Sequence, residues 1–164
     1  MKEKEIKEEL ELCIRSFLDA KERSKQEGID HFDELRILEG AFNRLFMSVE
    51  HLCNAIILME RGNFSKKHFG DFTKLRDLKE KYKSDLSDTY QTTYNFRSYG
   101  DYRKFPEVKD KFNREELKNK IAIVYTTIKN CLNIIVKDID INEIIQKLDK
   151  KHMEVKTGNN MDKK

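Results

Sequence analysis

One run of residues limits the fold more than any other. Between Leu35 and Met59 apolar side chains recur at alternating steps of three and four: Leu38, Phe42, Leu45, Val49, Leu52, Ile56 and Met59. That is the period of a helix with an apolar face. At about 100° per residue, these positions with Ala41, Phe46, Cys53 and Ala55 sweep an arc of roughly 160°, wider than a helix lying on a surface needs. Such a helix must be packed on more than one side, so the rest of the chain has to supply covering elements.

Those elements are legible on both flanks. A helix from about Lys2 to Gln26 carries the stripe Ile6, Leu10, Cys13, Ile14 and Phe17, and Gly28 is expected to stop it. Asp30 is placed as an N-cap for the central helix, with Asp33 and Glu34 in its first turn, and Arg61-Gly62-Asn63 closes it. Ser65-Lys66-Lys67-His68 reads as a polar turn. A short helix with Leu75, Leu78 and Tyr82 on one face is interrupted near Ser84 and resumes as Leu86, Tyr90, Tyr94 and Arg97. Gly100 and Pro106 bracket a break. Asn113 with Glu116 signals the next helix, whose seam runs Leu117, Ile121, Val124, Ile128, Cys131 or Leu132, and Ile135. Asp140 with Glu143 opens a final short helix bearing Ile141, Ile144, Ile145 and Leu148. Nothing alternates with a strand's period of two. The expected fold is all-α, an antiparallel up-and-down bundle of four main helices plus short helices, one domain over residues 1–153 with a polar tail at 154–164.

Composition narrows function mostly by exclusion. The net charge of +3 is the remainder of 33 basic and 30 acidic residues interspersed along the chain, which describes solvated helix faces rather than a nucleic-acid footprint. Cys13, Cys53 and Cys131 fall on separate apolar faces with no metal-ligand spacing, so reduced core thiols are expected, without metal or other cofactor. Glu50 and His51 are adjacent rather than at di-iron spacing, no Gly-rich turn follows a strand, and the serines sit where capping explains them. The lysine-rich segment Leu75 to Lys83 fits a DNA-recognition helix less well than an ordinary solvated one. With no apolar leader core and no run long enough to span a bilayer, a cytoplasmic protein with no membrane partner is expected.

One segment does not read as simple packing: Tyr94-Asn95-Phe96-Arg97-Ser98-Tyr99-Gly100-Asp101-Tyr102. Arg97 lies on the stripe begun by Leu86, Tyr90 and Tyr94. An arginine there either snorkels or pairs with an acid, or aims its planar fork into a cleft where it suits a phosphate. Arg44 and His51, seven apart on the central helix, border the buried arc and form a second candidate pair. The width of that arc and the aromatic stripe Tyr90, Tyr94, Tyr99 also lead to an expected homodimer.

The order of three features, Ala41-Phe42-Asn43-Arg44-Leu45-Phe46, then Ser65-Lys66-Lys67-His68, then Arg97 with Gly100-Asp101-Tyr102, resembles the HEPN superfamily of helical bundles, closest to its stand-alone prokaryotic members. The resemblance covers roughly residues 35–136. It implies a homodimer, a role in RNA metabolism, and in some members a toxin whose partner is a minimal nucleotidyltransferase. Active members cleave RNA without metal, using an arginine and a histidine at the dimer cleft. Here Arg97 matches the arginine, but the histidine position is Tyr102, and a tyrosine with an ordinary pKa of about 10 is a poor base at neutral pH. The tyrosine that the partner modifies in such toxins is Lys104 here. The expectation is a protein that binds RNA or a nucleotide phosphate through Arg97, Asp101, Tyr102, Arg44 and His68. Catalysis, if any, would be metal-independent RNA cleavage by Arg97 with Tyr102, or with His51 or His68 swung into the cleft. The alternative is a non-catalytic helical protein–protein interaction module.

Overall fold

A computed structural model describes residues 2–62 and 72–161, and among them every regular element is helical. Helix α1 spans Glu3–Ser24, α2 His31–Arg61, α3 Lys79–Tyr82, α4 Leu86–Tyr102, α5 Arg114–Ile135 and α6 Asn142–Met161. Two 3₁₀ segments, Phe72–Leu78 and Pro106–Lys111, precede α3 and α5. The turn expected at 65–68 lies outside the described residues. No helix among them is long and apolar enough to cross a membrane.

The central helix forms where its pattern places it. Asp30 accepts a hydrogen bond from the Asp33 N–H at 2.8 Å, and Gly62, with φ +79°, closes the other end in the left-handed conformation that glycine adopts without cost. Leu38, Phe42, Leu45, Val49, Leu52 and Ile56 are buried along one side, and Ala41, Phe46, Cys53 and Ala55 widen the arc. Helix α1 packs on α2 as an antiparallel hairpin, α4 covers a second flank of α2, and α5 closes the bundle against α1, α2 and α4. Helix α6 lies on α1 and α5, where Asp149 receives Lys129 and the Tyr125 hydroxyl. The wide arc is thus covered within one chain, so it does not by itself require a second copy.

Three details correct or add to the sequence reading. Gly28 does not cap α1, which ends at Ser24; a Cβ on Gly28 would stand 2.6 Å from the Glu34 backbone nitrogen, so glycine is needed for the close approach of the linker to α2. Gly100 and Pro106 do bracket the break, which falls at 103–105, but Gly100 itself continues α4. It is buried inside the helix, where a Cβ would meet Glu39 Cγ at 3.2 Å and Phe112 Cζ at 3.3 Å, and the left-handed stop falls at Arg103. The last helix is longer than expected, with its backbone helical to Met161.

One end of the bundle is tied by Arg114 at the start of α5. Its Nε and Nη2 donate to Glu34 at 2.7 and 2.8 Å, and Nη1 donates to the Ser24 carbonyl at 2.6 Å, joining α5 to the end of α1 and the first turn of α2. At mid-height Cys13, Cys53 and Cys131 are buried and unpaired, from three different helices. Burial pushes the Cys13 thiol up to about 12 and raises the other two as well. Reaction with an aromatic disulfide reagent needs an accessible thiolate. The native protein should therefore release no thiol-reagent colour on mixing and three equivalents after denaturation; one fast-reacting thiol in the native state would contradict the burial.

Candidate functional site

Helix α4 is unusual in burying small polar residues beside aromatic ones. Asp85 caps it by accepting from the Asp88 N–H, and the Thr89 and Thr93 hydroxyls donate to carbonyls one turn back, at 2.9 and 2.7 Å. These internal bonds let the threonines sit against α2 without an unmet donor. The α2 flank they face carries Glu39, Asn43, Phe46 and Glu50, spaced four, three and four apart.

Phe46 is the platform of this seam. Tyr90 and Tyr94 meet its ring edge-on, at centroid distances of 5.3 and 5.7 Å, and the Arg97 guanidinium carbon stands 5.2 Å from the ring centre. Burial raises the Tyr90 hydroxyl well above its ordinary value; Glu50 pushes the same way and Arg97 the other. Tyr90 is therefore fixed as a neutral phenol.

Arg97 has few partners for an arginine so placed. Its side chain is 35% exposed, and its nearest acid is Asp101 one turn on, with Nε 3.4 Å from a carboxylate oxygen. The guanidinium makes no hydrogen bond among the described residues: Nε is buried and unpartnered, as is Asn43 Oδ1 on the facing flank of α2. Arg114, by contrast, uses all three of its nitrogens. Arg97 is thus stacked on the seam with one loose acid partner, Asp101.

Tyr102 is the last residue of α4 and is 68% exposed, with Lys104 Nζ 5.6 Å from its ring centre. The chain then turns through two left-handed non-glycine residues, Arg103 at φ 55° and Phe105 at φ 62°. Arg103 lies over Tyr99 at 5.2 Å and reaches Glu39 at 3.1 Å, and Phe105 meets Tyr94 edge-on at 6.0 Å.

The remaining predicted residues are elsewhere. Arg44 and His51 face α1: Arg44 Nε is 3.0 Å from Asp19, which also pairs with Arg23, and His51 Nδ1 is 2.7 Å from Glu9. On α2, Phe46 and His51 are five residues apart, about 140° around the axis, so Arg97 and His51 lie on different flanks of one chain. His68 lies outside the described residues. Among those residues no group of three His, Cys, Asp or Glu side chains could hold a metal ion. The sequence reading missed Asn43 and the platform role of Phe46; the spacing 39, 43, 46, 50 was the signal available. No family model matches this chain, and no curated protein or solved structure matches it either.

Proposed function

We propose that this chain is a HEPN-like cytoplasmic protein that binds RNA or a nucleotide phosphate through Arg97 without cleaving it. One observation carries the reading: the Arg97 guanidinium rests on Phe46, partly exposed, with no hydrogen bond among the described residues. A planar fork with free donors suits a phosphate, and the loose Asp101 contact is a carboxylate that an anion can displace. Tyr102 stands where the resemblance would have a histidine, and a phenol is a poor general base at neutral pH, which favours binding over cleavage. The resemblance supports a minimal nucleotidyltransferase as partner in a toxin–antitoxin pair and pairing of two copies, the apolar arc and the stripe Tyr90, Tyr94, Tyr99 being packed within one chain.

Arg97→Ala should weaken RNA retention on a filter about tenfold or more. Its melting temperature should fall by no more than a few degrees, since a half-exposed ion pair contributes about 0–1 kcal/mol. Arg97→Lys should recover little binding because lysine lacks the fork. Unchanged binding in Arg97→Ala would overturn the reading, and sedimentation of the wild type gives the number of copies. The interaction-module reading is favoured by Ile29 and Phe32, 91% and 82% exposed at the same bundle end as Tyr102. It would prevail if wild-type protein retains no RNA and Phe32→Ser abolishes co-purification with a neighbouring gene product.

A further inference from the structure

Resting on the reading that Arg97 takes a phosphate, we infer that Tyr102 is the residue on which an unpaired base stacks, making the ligand a nucleotide within a single strand. A tyrosine ring 68% exposed at a helix end buries little apolar surface, so core packing does not account for it. What surrounds it has the composition of a stacking platform. Lys104 Nζ lies near the ring, 5.6 Å from its centre, and Arg103 holds a second cation over Tyr99.

The backbone that presents these groups is strained. Arg103 and Phe105 both occupy the left-handed region, which costs a non-glycine residue free energy and persists only where the surroundings impose it. Phe105 is anchored against Tyr94, and Arg103 is anchored to Glu39 and to the Tyr99 carbonyl through its N–H, so the hook is clamped from both ends while Lys104 between them projects outward. Lys104 also offsets the negative end of α4, where an anion would otherwise be repelled, while Arg103 is paired with Glu39.

Arg97 and Tyr102 are five residues apart on one helix, roughly 7.5 Å along the axis and about 140° around it. A strand touching both wraps the C-terminal end of α4, with a phosphate on the seam and the neighbouring base over the Tyr102 ring. A duplex keeps its bases stacked on each other and offers no free face to that ring.

The test uses the full chain and four probes: a labelled oligouridylate, the same backbone without bases, a blunt-ended two-strand RNA duplex, and inorganic polyphosphate. Tyr102→Ala should weaken oligouridylate binding about tenfold, Tyr102→Phe less than twofold, and neither should move the affinity for the abasic strand or polyphosphate beyond twofold. Arg97→Ala should weaken all bound probes, and the duplex should bind less tightly than oligouridylate. If Arg97→Ala weakens binding but Tyr102→Ala leaves oligouridylate unchanged, the stacking role is wrong and the phosphate reading stands. If Arg97→Ala changes nothing, or no probe binds the wild type, the phosphate reading fails and this inference with it.

Discussion

Replacing Phe46 by alanine is expected to lower stability by about 3–5 kcal/mol, the cost of deleting a large buried ring whose cavity closes only in part. The side chain is 2% exposed and carries Tyr90, Tyr94 and Arg97 from α4. At roughly 2–4 °C per kcal/mol for a chain of this size, the melting temperature should drop by about 6–20 °C. The loss should not be confined to stability, because the same ring seats the Arg97 guanidinium. Phe46→Leu separates the two contributions. It refills most of the volume and should recover most of the melting temperature, yet it removes the aromatic face that a cation prefers. If Arg97 takes RNA as proposed, RNA retention by Phe46→Leu should therefore stay below wild type after folding is restored. Full recovery of binding by leucine would show that Phe46 acts only as filler.

Helix α2 was readable because its signals are local. Asp30, the three-and-four alternation and Gly62 each act within a turn of their own position, and the structure keeps all three. The packing roles of Gly28 and Gly100 are hidden for the opposite reason. A glycine at a predicted helix end looks like a stop, but what these two require is room for another segment: the Glu34 backbone beside Gly28, and Glu39 with Phe112 beside Gly100. Such neighbours are distant in sequence or belong to another element, and periodicity does not reveal them.

The candidate site divides along the same line. The Arg97–Asp101 pair is an i, i+4 spacing that the sequence displays openly. The partners of Arg44 and His51 are Asp19 and Glu9, on a different helix at a register set only by how α1 and α2 pack. Seven residues apart on α2, Arg44 and His51 looked like one functional pair; the fold gives each its own acid from α1. The same packing buries Asn43 Oδ1 on α2 and Arg97 Nε on α4 without a hydrogen bond, which neither segment alone reveals.

Arg114→Ala is expected to remove about 2 kcal/mol at neutral pH and much less in acid. The guanidinium spans three elements through hydrogen bonds to charged or carbonyl oxygens of 2.6–2.8 Å, and such bonds contribute about 1.5–3 kcal/mol where solvent is partly excluded. The Arg114 and Glu34 side chains are 28% and 32% exposed, so the pair is worth more than a surface contact and less than a buried one. The bidentate Arg114 bond holds the Glu34 carboxyl below its ordinary value of 4.5, assisted by the Gly28 N–H. A carboxyl whose folded pKa is depressed contributes fully above its unfolded pKa, and the contribution fades as pH falls through the lower folded value. The wild type should therefore lose its margin over Arg114→Ala as pH drops from about 4.5 downward, read from urea midpoints at a series of pH values. Asp33, held low first by the Ile29 N–H, titrates in the same direction, but it does so in both proteins and largely cancels in the difference. Arg114→Lys keeps the charge without the fork and should restore less than half of the margin. A difference between wild type and Arg114→Ala that stays constant down to pH 2 would mean that the clamp acts through the Ser24 carbonyl bond and packing of the arginine stem and not through the Glu34 carboxylate.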